Sequence, residues 1–478
     1  MKKMNVGDEK IIGKICFAGE LKLITPLIIG AGNGEGRKTD NSKTGSESNV
    51  DSLILKNKQG QPFIPATSLA GVLKNALSGY DKDDLATVFG TTAKEKNGWQ
   101  SSITFYDVIL KNAITAVRDG VCIDSVTGVA KKGGKYDFEV VEVGATGKFE
   151  AVFTLRQGHQ VCKGLSQIIN SFCQLLVQGF RVGAKTTNGL GMVRIAELTV
   201  DEYDFTKVAD VKAWLAPGGR QSAETHYTEK STSEIHFCGE EDFAVEMEFA
   251  LKHSLIVRDY DTAEIELPED PKIRINAVSM RSHDGTFIIP GSSLKGVIRH
   301  QAVDVLRRMG KQSIADTILQ AIFGNPDSSQ GNKADSRKGR LFVDEITFSK
   351  EKVNEVTQSR NRIDRFTGGT IDSALFHEKA LWQKNTAEKL ATLKFVLKKA
   401  NEHEIGLLLF VLRDIWCGKV AFGGEKSIGR GFVTGLSLTV RYSGEEYKIE
   451  KNKPVDSTVV VALEKYAAAI NDWTEVAK

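Results

Sequence analysis

The chain has 478 residues, 41% hydrophobic and 26% charged, a globular balance that excludes a disordered chain and a membrane bundle and implies two or three domains. Lys and Arg number 64 against 61 Asp and Glu, so the net charge of +3 excludes a uniformly basic coat but leaves room for a local basic groove. Glycine is abundant, 45 residues against 9 prolines, with neither a collagen period nor low complexity, which raises the question of where the backbone needs freedom.

The N-terminal MKKMNVGDEK is basic but no apolar run of signal-peptide type follows, and no stretch of about 18 apolar residues occurs, so a cytoplasmic protein without membrane contact is expected. The 6 cysteines are scattered without a C-x-x-C pair, which fits a reducing compartment and argues against a zinc site. The first predicted element is a strand in which Ile15, Phe17, Leu21 and Leu23 mark the apolar face. An irregular Gly-, Ser-, Asn- and Asp-rich stretch follows and contains Asp51. Phe63-Ile64-Pro65-Ala66-Thr67-Ser68-Leu69-Ala70-Gly71-Val72 then enters a helix, with Thr67 or Ser68 as its expected N-cap. After a Phe89-Gly90 turn come a short strand over 103–108 and apolar-alternating runs over 121–130 and 135–141. The latter flank Lys131-Lys132-Gly133-Gly134, which predicts a hairpin with a basic turn. A helix over 161–178 and a Gly-rich loop over 183–191 lead into a last strand.

Past 201–242, a polar stretch with Pro217-Gly218-Gly219 that reads as a linker or surface excursion, the same landmarks return in order. A strand with Val245, Met247 and Phe249 precedes Ile288-Ile289-Pro290-Gly291-Ser292-Ser293-Leu294-Lys295-Gly296-Val297, with Ser292 or Ser293 as expected N-cap. Phe323-Gly324, a strand over 340–346, a second hairpin over 360–381, a helix over 404–417 and a loop over 423–431 complete the copy. Ile123-Asp124…Thr127-Gly128 recurs as Ile363-Asp364…Thr367-Gly368. Pro65 and Pro290 stand 225 residues apart and Gly183 and Gly423 stand 240 apart, so the spacing drifts little across four landmarks. The chain is therefore expected to be α+β, with tandem copies over 10–200 and 243–445 and a tail over 446–478 closed by a helix. The order strand, helix, strands, helix, strand predicts two ferredoxin-like (RRM-like) domains with antiparallel sheets.

Neither Gly-rich loop has the spacing of a nucleotide phosphate-binding loop. Lys185, Lys426 and Arg430 beside glycines and small hydroxyls suit a polyanion backbone, and a tight turn before a strand accounts for the glycines equally well. A helix N-terminus offers free N–H groups and partial positive charge, and Ser292, Ser293, Lys295 and Arg299 gather donors there, with Thr67, Ser68, Ala70 and Lys74 as the first-copy counterparts.

The ordered set Ile-Pro-Gly-Ser-Ser-Leu-Lys-Gly, Phe-Gly, Gly-Arg-Leu-Phe-Val-Asp (339–344), Arg-Ile-Asp-Arg-Phe-Thr-Gly (362–368) and Gly-Gly-Glu-Lys-Ser-Ile-Gly-Arg-Gly resembles the RAMP superfamily. It resembles in particular the repeated backbone subunit of type III CRISPR effector complexes, and the two-copy chain looks like the fused backbone subunits of the III-D group. The resemblance implies two RAMP domains, each with a Gly-rich loop and a thumb-like hairpin, that hold a crRNA guide and its target RNA. It also implies other RAMP-type subunits and a large polymerase-cyclase-like subunit as partners. The residues expected on RNA are Thr67, Ser68, Lys74, Lys131, Lys132, Lys185, Ser292, Ser293, Lys295, Arg299, Arg362, Lys426 and Arg430. Catalytic members of the family cut target RNA with a loop aspartate, whose place Asp51 takes, implying an endoribonuclease assisted by Mg²⁺ or Mn²⁺. Asp51 as base, as metal ligand, or as a turn residue among Ser46, Ser48, Asn49 and Ser52 all remain open. Asn276 stands at the second-copy position, where a neutral amide implies an inactive or rebuilt site; the acidic stretch 259–270 is either a relocated site or a solvated loop. The rival readings are a non-cutting scaffold of the same complex, a RAMP-type nuclease that processes precursor guide RNA and, remotely, an unrelated nucleotide-binding enzyme.

Overall fold

The computed structural model describes residues 10–31, 52–91, 100–124, 128–157, 164–216, 225–227, 241–259, 275–325, 337–372 and 374–473. They fall into two compact units that change over near residue 235. In the first, β1 (Ile11–Leu23), α1 (Ala66–Ala76), α2 (Lys82–Phe89), β2 (Thr115–Ile123), β3 (Ala130–Val141), β4 (Thr146–Arg156), α3 (Leu165–Gln178) and β5 (Met192–Asp204) follow one another. β1 lies between β5 and β4, antiparallel to both, with Val108–Lys111 beyond β4. The alternation in β1 buries Ile15, Phe17, Leu21 and Leu23 on one face. Phe17 faces Ala151 and Val200 across the ladders and meets Phe172 of α3 edge-on, ring centroids 5.1 Å apart. Each such buried side chain contributes about 1.5–3 kcal/mol.

The second unit repeats the plan with β6 (Phe243–Leu251), β7 (Ile275–Ser279), α4 (Gly291–Arg308), α5 (Gln312–Phe323), β8 (Val353–Arg360), β9 (Phe376–Gln383), β10 (Ala391–Leu397), α6 (Glu402–Trp416), β11 (Val433–Tyr442), β12 (Glu445–Glu450) and α7 (Ser457–Asp472). Its sheet runs Leu341–Val343, β10, β6, β11, β12. In both units the first strand thus sits between the last strand and the one that follows the hairpin, as a ferredoxin-like chain order requires. Phe249 on the first strand and Phe422 before the last meet at 5.6 Å. Within the stretch after β5, a short helix Val208–Leu215 brings Trp214 onto Tyr203, 5.3 Å between ring centroids.

Two local expectations change. The N-caps are Pro65 and Pro290, with φ of −62° and −59°, so Thr67, Ser68, Ser292 and Ser293 fall inside the first turn and make no capping bond. Asp107 takes over part of that task at α1, where its Oδ1 accepts the Ala66 N–H at 2.8 Å. In the first hairpin Lys131-Lys132-Gly133-Gly134 is not the turn. Val121 pairs with Lys135 and Ile123 with Ala130, so the four residues bulge out of β3. The chain reverses farther along, where the Asp124 N–H donates to the Val129 carbonyl at 2.8 Å; Asp364 and Gly369 make the same bond at 2.8 Å in the second unit. The repeated landmark therefore begins at the bond that closes the end of each hairpin, with 125–127 of the first copy outside the described residues.

Candidate nucleic-acid interface

Each Gly-rich loop is strapped to the segment leaving the first strand of its own unit. Ala184 N–H donates to Ile28 O at 2.8 Å and Gly191 N–H to Pro26 O at 2.7 Å; Gly424 donates to Ile256 O at 2.9 Å and Gly431 to Ser254 O at 2.7 Å. Gly183 (φ 89°) and Gly423 (φ 76°) pass so close that a Cβ would lie 2.2 Å from Ile28 O and 2.3 Å from Ile256 O. Positive φ and backbone contact together exclude any other residue there without a shift. The position two residues after that glycine, Lys185 in one loop and Glu425 in the other, is left-handed in both copies, with φ of 53° and 59°.

That shared position carries opposite charge. In the first unit the Lys185 ammonium lies over the rings of Tyr136 and Phe138 of β3, 4.2 and 3.5 Å from their centroids. Among the described residues no carboxylate pairs with it, and burial alone pushes it down to about 8. Phe138 pairs with Ser52 in a parallel bridge, so the aromatic cradle abuts the residue after Asp51. Glu139, buried next along β3, accepts from Lys56 Nζ at 2.7 Å and from Ile54 N–H at 3.2 Å, fixing the hairpin base to the same segment.

In the second unit Glu425 is sealed by arginines. Arg258 reaches Glu378 at 2.7 Å and Glu425 at 2.6 Å, Arg360 pairs with both carboxylates, and Arg430 lies 2.7 Å from Glu425 and 3.5 Å from Glu378. Burial works to raise the Glu425 carboxyl, but the bonds from Arg360 and its neighbours outweigh it and hold the group below its ordinary value. Arg430, expected on RNA, is 2% exposed and also donates to Gln358, so its charge is used inside the protein. Asn276 Oδ1 accepts the His377 N–H at 2.9 Å, and the His377 Nδ1 lies 2.6 Å from Ser359 Oγ. The amide at this position thus ties β7 to β9.

The remaining expected contacts divide clearly. Lys74 donates to the Gly90 carbonyl at 2.9 Å, closing α2 rather than extending outward. Thr67, Ser292, Ser293 and Arg299 are exposed and Ser68 half-buried at the starts of α1 and α4; Lys131, Lys132, Arg362 and Lys426 are exposed on the hairpins and the second loop. Ser292, Lys295 and Arg299, spaced three and four apart, share one face of α4. Lys295 is half-buried with no ion-pair or hydrogen-bond partner among the described residues, and burial, with Lys338 adding its charge, pushes it down to about 8. The second hairpin tip is built by Asp364, whose Oδ1 accepts the Phe366 and Thr367 N–H groups at 2.9 and 2.8 Å and leaves the Phe366 ring 99% exposed. Asp51 and 260–270 of the acidic stretch lie outside the described residues. Sequence reasoning did not find the Tyr136–Phe138 cradle, Glu139 with Lys56, or the arginine–glutamate network. The alternation of the hairpin strands was their only signal.

Among the described residues no helix is long and apolar enough to cross a membrane, and no three His, Cys, Asp or Glu side chains are grouped to hold a metal ion. Strand order, strapped loop and hairpin, each present twice, define a tandem α+β protein with two related loop-and-hairpin surfaces. The family model of the RAMP superfamily matches residues 20–194 and 271–434, together most of the chain, and the protein belongs to that superfamily, whose members have CRISPR-associated RNA-binding roles. No curated protein matches it.

Proposed function

We propose that the protein is a guide-RNA-binding backbone subunit of a type III CRISPR complex, which holds the guide–target duplex and cuts target RNA once, at the first module. The observation that carries the RNA reading is Lys295. A half-buried ammonium without a counter-ion among the described residues, on one helix face with Ser292 and Arg299, is costly in the free protein and is compensated when a phosphate arrives. Lys131, Lys132, Arg362 and Lys426 extend the cationic contacts along the hairpins and the second loop. Base pairing supplies sequence recognition while the protein holds backbone and shape.

RNA brings its own nucleophile, the 2′-hydroxyl, so the protein's task is to line it up with the scissile phosphate. Asp51 is the proposed carboxylate of that step. A divalent ion bound there would neutralise charge building on the phosphate, with Asp51 as the protein donor and RNA oxygens and water completing the shell. Target cleavage by the guide-loaded complex tests the reading: Asp51→Ala abolishes the cut and leaves target binding intact. Unchanged products would reduce the protein to a scaffold. Cutting of precursor guide RNA by the isolated chain in EDTA would make it a processing nuclease.

A further inference from the structure

The left-handed position of the Gly-rich loop is occupied by a lysine in one module and a glutamate in the other, and the surroundings differ in kind. Glu425 is neutralised by Arg258, Arg360 and Arg430. Lys185 has two aromatic faces and no counter-ion among the described residues. A structural lysine would be paired or would extend into water; this one is held over rings, which keeps it in place while leaving its N–H bonds for something outside the protein. The cradle abuts Ser52.

Building on the cleavage reading above, we propose that Lys185 is a second catalytic residue of the first module, the group that protonates the leaving oxygen when target RNA is cut. In that step the 2′-oxygen attacks phosphorus and its proton passes to a base. The P–O5′ bond breaks, the Lys185 ammonium gives a proton to the departing 5′-oxygen, and the amine regains one from water. The products are a 2′,3′-cyclic phosphate and a 5′-hydroxyl, and no oxidant or further reactant is needed. An ordinary lysine holds its proton too tightly for this work, whereas burial brings Lys185 to about 8, close to the pH at which an acid is most effective. The charged and titratable groups on the elements around it are Lys131, Lys132, Lys135, Asp137, the Tyr136 phenol, which burial pushes up, and Glu139, engaged by Lys56, on β3; Arg118, paired with Glu142, Asp119 and Cys122 on β2; and Arg181 on the strand entering the loop.

The test uses the guide-loaded complex. Lys185→Arg retains the charge and the cation–π contact but releases no proton. It is expected to bind guide and target as the wild type does, to cleave about 100-fold more slowly, and to lose the alkaline fall in rate that the wild type shows where Lys185 gives up its proton, which the bound phosphate places above the free value of about 8. A target whose leaving oxygen is replaced by sulfur needs no protonation, and both proteins should cut it at the same rate. Tyr136→Ala lets water reach the ammonium and, because burial is what lowers Lys185, should move the alkaline limb to higher pH, an independent readout should Lys185→Arg fold poorly. Lys185→Arg cleaving normal RNA at the wild-type rate, or a deficit that persists on the sulfur substrate, overturns the proposal. Asp51→Ala in the same assay separates the two claims. If it abolishes cleavage while Lys185→Arg does not, only the role of Lys185 falls; if it too leaves cleavage intact, the placement of the cut falls first.

Discussion

Lys295 and Lys185 both carry an ammonium that burial pushes down to about 8, and that shift has a definite sign for RNA binding. In the free protein each group loses its proton in a range where an exposed lysine keeps it, so between about pH 8 and the ordinary lysine value, near 10.5, folding releases protons and the folded state gains stability as pH rises. A phosphate beside the ammonium reverses this, because it favours the charged form. Guide binding is therefore expected to take up protons above about pH 8 and to weaken as pH rises further; calorimetry in buffers of different ionisation enthalpy reads the uptake. Lys295→Ala should lose that part of the uptake and lower the salt slope of guide binding by about one, without changing sequence preference. An unchanged slope would place Lys295 away from the phosphates. Arg299→Ala should lower the slope without altering the proton uptake.

At the scale of elements, the Gly-rich loop and the hairpin are locked by an ion network in the second unit and by an aromatic cradle in the first. Removing one member of a buried network leaves the others uncompensated, which costs about 3–5 kcal/mol. Arg430→Ala removes one of the three arginines and leaves Arg258 and Arg360 to balance Glu378 and Glu425, so it should destabilise the second unit by less than this in chemical denaturation, while Lys426→Ala, at an exposed neighbouring position, should change it little. Glu425 is held below its ordinary value near 4.5, so the stability it contributes is present above that pH and is lost as pH falls through the lowered value; acid should open this loop first. The recurring Pro, Gly and Asp-Gly landmarks made the strand order and loop positions legible, because those residues answer to backbone geometry that the chain states locally. The roles of Lys74, Arg430 and the Lys131–Gly134 bulge were not legible. Each depends on a partner far along the chain, Gly90, Glu378 or the opposite hairpin strand, and charge alone does not reveal whether a cation faces RNA or a buried carbonyl or carboxylate.

Over the whole molecule, one plan has been written twice and edited unevenly. Each unit buries its own core around the first strand, with Phe17 on Phe172 in one and Phe249 on Phe422 in the other, so the duplicated framework is kept where packing demands it. The differences concentrate at the loop-and-hairpin surface: Asp51 against Asn276, Lys185 against Glu425, Phe138 against Glu378. Because three positions differ together, restoring one does not restore a second blade. Asn276→Asp keeps an oxygen to accept the His377 N–H and should fold normally, yet it places a carboxylate beside a loop whose corresponding residue is an acid already bound to three arginines. Its guide-loaded complex is expected to yield the same target fragments as the wild type, and mapping the fragment ends checks this. A new cut assigned to the second module would mean that the aspartate alone suffices, and that neither the charge at the loop position nor the cradle of Lys185 is needed for the reaction.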